Sequence, residues 1–210
     1  QLLQFTRKSI KLFFYDHPIT FIRPFGVIRR NSLIKNNLQD LRFFSYRKHI
    51  NNIGFTSNKT TGSYSNSQRL LEDNIFHKLK ESILVHSRSY LTELNQEFSD
   101  IQISNSWANI INKDQVILRH RHQNSYISGV FYFSESSQIA FHSPIEDKWS
   151  FFSSSRGKNN NVFTIKPSSN LLLIFPSWLF HEVEKSNEDN RISIAFNIMP
   201  KGEFGVDTTK

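Results

Sequence analysis

From residue 100 onward the chain switches to a period of two, with apolar side chains at alternate positions in seven short runs: 104–111, 115–122, 126–133, 137–141, 162–165, 171–175 and 191–198. Successive residues of a strand face opposite ways. Seven such runs joined by short turns can bury their apolar faces only by folding into a sandwich or barrel. Ahead of them, Leu71, Ile75, Leu79 and Ile83 recur every four residues with Phe76 beside them, which predicts an amphipathic helix from Ser67 to about Leu94. A sheet's outer face is the natural partner for its apolar stripe. The fold class expected is therefore mainly β with a flanking helix.

The rest of the chain punctuates this core. Residues 1–50 hold short apolar bursts broken by Pro18 and Pro24 and read as strands and turns. Asn51 to Ser67 is rich in Asn, Ser, Thr and Gly and reads as a loop, and Ser143 to Asn161 as a long polar loop of the kind that serves as a lid or binding loop. Two parts are expected: a basic extension over 1–66 that packs on the core, and a helix plus β domain over 67–210.

Charge is concentrated at the start. Of the 26 Lys and Arg, ten fall within residues 1–50 against only Asp16 and Asp40, and the remainder is balanced. With Phe13, Phe14, Tyr15, Phe43, Phe44 and Tyr46 interleaved, this segment has the composition of a nucleic-acid or anionic-surface patch, or of a partly buried basic layer; no nucleic-acid motif accompanies it. The chain has no cysteine, so thiolate metal sites and cysteine nucleophiles are excluded and imidazoles and carboxylates remain as ligands. The longest apolar run, Leu171 to Phe175, has the length of a buried strand and not of a membrane span. Gln1 to Tyr15 shows no secretory pattern, and a cytoplasmic location is expected.

Three histidines and one arginine are the candidates for chemistry, with a pair of surface histidines as the plain alternative for His120 and His122. Along 115–122, alternation puts His120 and His122 on one face, close enough to share an ion. His181 follows the run 171–175 and the turn Pro176-Ser177-Trp178, where a strand would deliver a third imidazole. Three nitrogen ligands leave coordination positions open. In 191–198, Arg191, Ser193, Ala195 and Asn197 share one face and Ile192, Ile194, Phe196 and Ile198 the other. An inward Arg191 beside the Ser193 hydroxyl suits the distal carboxylate of a dicarboxylic acid, while an ion pair with Glu182 or Glu184 is the structural alternative. Tyr126 and Tyr132 fall on one strand face, His142 is the only other histidine near this constellation, and Trp178 reads as a packing residue.

Over Trp107 to Ile198 the chain resembles the iron(II) and 2-oxoglutarate dependent oxygenases, in particular a branch found in phage and marine bacteria. The resemblance is carried by Trp107-Ala-Asn109, His120-Arg-His122-Gln-Asn124-Ser125, Ser128-Gly-Val-Phe-Tyr-Phe133, Leu171-Leu-Leu-Ile-Phe-Pro-Ser-Trp178, His181-Glu-Val183 and Arg191-Ile-Ser193. It implies a double-stranded β-helix (jelly-roll, cupin-like) core, with Fe(II) held by His120, His122 and His181. Arg191 and Ser193 would hold 2-oxoglutarate as co-substrate. Dioxygen and a primary substrate of unknown identity would complete the reaction, as expected of a hydroxylase. The chain departs from the family where Asp or Glu usually stands, at His122, which would leave the metal complex one unit more positive. Glu135, Glu146 and Asp147 are the other carboxylates on offer, and Phe141-His142-Ser-Pro144 replaces a segment where the family carries an acid. Two other readings stand beside this one: a cupin-like three-histidine enzyme that does not use 2-oxoglutarate, and a metal-free jelly-roll binding module.

Overall fold

The computed structural model describes residues 12–14, 17–22, 43–96, 98–135, 137–142 and 162–202. Among these residues twelve strands form two antiparallel sheets. In chain order they are β1 (Leu12–Phe14), β2 (His17–Ile22), β3 (Phe55–Asn58), β4 (Gly62–Ser65), β5 (Ile101–Ile111), β6 (Ile117–His120), β7 (Ile127–Tyr132), β8 (Ile139–His142), β9 (Val162–Ile165), β10 (Leu171–Pro176), β11 (His181–Val183) and β12 (Arg191–Pro200). The larger sheet runs β1-β2-β10-β7-β12-β5-β4-β3 and the smaller β6-β11-β8-β9. This is the mainly β jelly roll with flanking helix that the alternating runs and the family resemblance predict.

The two faces of the larger sheet build two cores. Outward, Phe131, Leu172, Ile174, Ile192, Ile194, Phe196 and Ile198 meet a helical layer that supplies Tyr46, Ile50, Leu70, Leu71, Phe76, Leu79, Ile83, Tyr90 and Leu91. Inward, Tyr132, Leu171, Leu173 and Phe175 meet Ile139, Phe141, Ile165, Leu179 and Val183. The alternation of β12 thus separates exactly two jobs, Ile192, Ile194 and Phe196 sealing the helical layer while Arg191, Ser193 and Asn197 face the interior cavity.

Four expectations need correction. Residues 43–51, read as strands and turns, are a helix (α1), whose Tyr46 and Ile50 are fully buried; the prolines that suggested breaks lie upstream of it. The stretch read as a loop from Asn51 holds the β3-β4 hairpin. Its polar composition belongs to the tip, where Asn58 Oδ1 accepts from the backbone N–H of Thr60 and Thr61 at 2.8 and 3.0 Å, and Gly62 turns with φ 82°. A side chain at Gly62 would meet the Ile110 carbonyl at 2.8 Å, so β4 can lie against β5 only with glycine there.

The long helix, α2, spans His77–Glu93 and does not begin at Ser67. The segment before it is pegged to β5, with Ser106 N–H donating to Gln68 O and Leu71 N–H to Ser106 Oγ. Leu70–Glu72 and Asn74–Phe76 are therefore 3-10 turns separated by an extended Asp73, and Ile75 is 37% exposed instead of lying in the apolar stripe. The C-terminus ends as expected near Leu94. Asn95 takes a left-handed conformation while Gln96 N–H bonds Leu91 O and Asn95 N–H bonds Thr92 O, a Schellman closure. Finally, the run 115–122 forms a strand only over Ile117–His120, because after His120 the backbone leaves the ladder and His122 N–H bonds Ser177 O instead. Among the described residues no helix is long and apolar enough to cross a membrane.

Candidate metal centre

His120 ends β6 and stands directly across the ladder from His181, the first residue of β11. His122 lies two residues further on, tied to the β10–β11 turn through Ser177 O. The three rings form a tight triangle, with centroids 4.3 Å apart for His120–His181, 5.1 Å for His122–His181 and 5.2 Å for His120–His122. One ring nitrogen from each lies within 4.8 Å of the others.

Which nitrogens converge follows from the hydrogen bonds behind them. Nδ1 of His120 faces Leu118 O at 2.7 Å, Nδ1 of His181 faces Leu179 O at 2.9 Å, and Nδ1 of His122 faces Asn197 Oδ1 at 2.5 Å. Carbonyl oxygens only accept, so each Nδ1 carries the proton and each Nε2 keeps its lone pair. The Nε2 atoms of His120 and His122 stand 3.3 Å apart. Two lone pairs pointed at each other at that distance repel unless a cation lies between them, so the trio fits a nitrogen-liganded divalent metal. Burial, and then the neighbouring His120, hold His181 down to about 3, and burial likewise lowers His122, against the Asn197 hydrogen bond. Both are therefore neutral at physiological pH, the form in which an imidazole ligates.

The same cavity, about 560 Å³, is lined by Arg191, Ser193 and Tyr132 as well as the histidines. Arg191 is only 3% exposed, its guanidinium 5.6 Å from the Tyr132 ring centre. Burial pulls Arg191 below the ordinary arginine value while Tyr132 opposes, and burial pushes the Tyr132 hydroxyl up to about 12. Of the acids that sequence offered to Arg191, Glu182 is engaged elsewhere, with Oε1 3.2 Å from His142 Nε2. Asn109 Nδ2 reaches Ser193 Oγ at 3.5 Å, and Asn109 Oδ1 accepts from the Trp107 indole at 3.0 Å. Arg119 and Arg121 both lie over the Phe180 ring, 5.1 and 5.0 Å from its centre, and Arg121 also lines the cavity.

The structure thus brings His120, His122, His181, Arg191 and Ser193 around one cavity. Tyr126 is not among them: it precedes β7, is 37% exposed and donates its hydroxyl to Gln96 Oε1. Trp178 is 40% exposed. Glu135 is exposed and outside the imidazole group, whereas Glu146, Asp147 and the expected lid 143–161 lie outside the described residues. Most of the basic segment 1–50 does too, and the structure lends no support to nucleic-acid binding there.

Asn197 carries a part that residue typing missed. Its Oδ1 accepts from both His122 Nδ1 and Ser128 Oγ, and Ser128 Oγ lies 2.7 Å from Ser177 Oγ, so a buried polar chain runs from the β10 turn to the back of His122. The signal was a polar Asn on the inward face of an otherwise apolar strand.

Comparison with known proteins agrees with this geometry. Residues 105–197 match the family described as "Putative 2OG-Fe(II) oxygenase", the stretch that holds all five of these residues and Asn197. The resemblance to iron(II) and 2-oxoglutarate dependent oxygenases therefore stands over that span, while the phage and marine bacterial branch is not shown. Similar solved structures include HygX from Streptomyces hygroscopicus with nickel and 2-oxoglutarate bound, at 12% identity, TM-score 0.59, covering 90% of this chain and 85% of that one. A Pseudomonas putida prolyl-4-hydroxylase gives 12% identity and TM-score 0.52 over 89% of each chain. The epimerase SnoN from nogalamycin biosynthesis, described as non-heme and alpha-ketoglutarate dependent, gives 7% and 0.62 over 88% of this chain and 78% of that one. At these identities the likeness is one of fold. Comparison with curated proteins gives no match.

Proposed function

We propose that this chain is an iron(II) and 2-oxoglutarate dependent oxygenase that hydroxylates a substrate bound at the cavity mouth. The observation that carries the reading is the convergence of three Nε2 lone pairs in the cavity that also buries Arg191. His120, His122 and His181 would hold the iron, and Arg191 with Ser193 would take the distal carboxylate of 2-oxoglutarate by charge-assisted hydrogen bonds. When bound, iron and co-substrate supply the oxidising chemistry: one atom of dioxygen enters succinate as carbon dioxide leaves, and the other enters the substrate.

The chain's own residues position and desolvate. Asn197, Leu118 O and Leu179 O fix the tautomers of the ligating imidazoles, so no ring has to reorient to bind. Trp107, Val130, Ile139 and Val183 line the cavity with apolar surface that excludes water. Arg121, which lines the cavity and lies over the Phe180 ring, would meet a substrate that enters it. The proposal also takes residues 1–66 as an extension that completes the core; the pairing of β2 with β10 and the burial of Tyr46 and Ile50 support it.

The test is succinate formation from 2-oxoglutarate by the full chain with ferrous iron and air, in the absence and presence of candidate substrates. Iron-dependent succinate that is lost in Arg191→Ala and His181→Ala supports the reading. A cupin-like enzyme that does not use 2-oxoglutarate would bind iron but form no succinate under any of these conditions, and a metal-free binding module would bind no iron.

A further inference from the structure

We propose that the primary substrate is a small acid, an apolar body carrying a carboxylate or a phosphate, and that Arg121 selects it by its charge. The inference rests on the proposed function and names the substrate class of that same cavity. Among the described residues that line the cavity none is an aspartate or a glutamate, so a cationic substrate would meet no counter-charge from them. An anionic one would meet Arg121.

The two arginines of the cavity are placed differently. Arg191 is buried beside Tyr132, and the proposed function gives it to the co-substrate. Arg121 is exposed, and its guanidinium lies 5.0 Å from the centre of the Phe180 ring. Among the described residues no carboxylate forms an ion pair with it. A ring face steadies a guanidinium through its charge and leaves the in-plane N–H donors unused. A planar fork of donors held in this way fits a carboxylate or a phosphate by two-point contact. In the chain Arg121 stands between His120 and His122, which keeps a molecule anchored on it beside the imidazole trio. The body of such a molecule has apolar surface to lie on, because Trp107, Leu118, Val130 and Ile139 line the same cavity. A cavity of about 560 Å³ has the size of a small-molecule site, and it has to hold 2-oxoglutarate as well, so the acid is small.

The experiment loads the full chain, in excess, with Mn(II) and saturating 2-oxoglutarate and measures the paramagnetic relaxation of the ring protons of three probes of similar shape: benzoate, phenyl phosphate and benzamide. Titration of each probe gives its affinity for the space beside the ion, and water-proton relaxation reads the Mn(II) loading itself. The expected result is benzoate or phenyl phosphate bound at least about tenfold more tightly than the neutral benzamide, the tighter of the two naming the anion, with the preference reduced below about threefold in Arg121→Gln. The wild-type comparison of the three probes needs no variant to fold. Equal binding of all three, or no relaxation of any of them, overturns this inference and leaves the proposed function standing. A preference for the anions that survives intact in Arg121→Gln overturns it too, by assigning the selection to another cation of the cavity. Failure of Mn(II) to bind overturns the proposed function and this inference with it.

Discussion

Asn197 does for His122 what main-chain carbonyls do for His120 and His181: it accepts the Nδ1 proton and leaves Nε2 free. It is also the one of the three acceptors that mutation can remove. Asn197→Ala should lower Co(II) or Ni(II) affinity about 10- to 100-fold, the range for outer-shell partners of ligating histidines, with circular dichroism unchanged. The buried imidazoles also predict a pH dependence for the metal-free protein. His181 titrates at about 3 when folded against an ordinary 6.5, so between those values the unfolded chain binds the proton and the folded one does not. Stability is then complete above pH 6.5 and falls as the pH drops toward 3, by at most about 1.4 kcal/mol per pH unit for this one proton. Urea denaturation between pH 7.5 and 5 should show that slope in wild type and a shallower one in His181→Gln. At this scale the sequence was informative: strand alternation correctly turned Arg191, Ser193 and Asn197 inward. It paired His120 and His122 for partly the wrong reason, since His122 is placed by Ser177 O beyond the strand's end.

The elements show where local patterning loses to tertiary contacts. All seven alternating runs became strands, because a period of two is a property of the strand itself. What escaped were segments whose conformation is dictated by a neighbour: the 3-10 turns pegged to Ser106, the β3-β4 hairpin against β5, and α1 under the sheet. Among the described residues five turns are made by Asn or Asp in the left-handed region, Asn95, Asp114, Asn124, Asn170 and Asn190, where glycine would be the commoner choice; four of them lead into β6, β7, β10 and β12. Within β7, Gly129 is required by packing. A methyl group there would come within 2.2 Å of Phe196 Cζ and 2.6 Å of Leu173 O, atoms on the two strands that flank it. Gly129→Ala should therefore cost about 3 kcal/mol, the upper end of ordinary overpacking, read as a lowered denaturation midpoint.

For the molecule as a whole, a jelly roll was legible from the number and spacing of the runs and from the family motifs, but the order of strands was not, since pairing is set by contacts far apart in sequence. The addition of β2 to β10, with Leu172 opposite Ile22 and Ile174 opposite Thr20, joins the start of the chain to the middle of the sheet. A chain lacking residues 1–42 would leave that side of β10 as an open edge of apolar sequence. It should form soluble aggregates or oligomers in size-exclusion chromatography, where the full chain does not.

The central claim, that the three imidazoles and Arg191 together make an iron and keto-acid site, is tested most directly by anaerobic addition of ferrous iron and then 2-oxoglutarate to the metal-free protein, followed by visible absorption. The account predicts a weak charge-transfer band that appears only when both are present and is lost in His120→Ala and diminished in Arg191→Ala. Iron binding without any such band would contradict it.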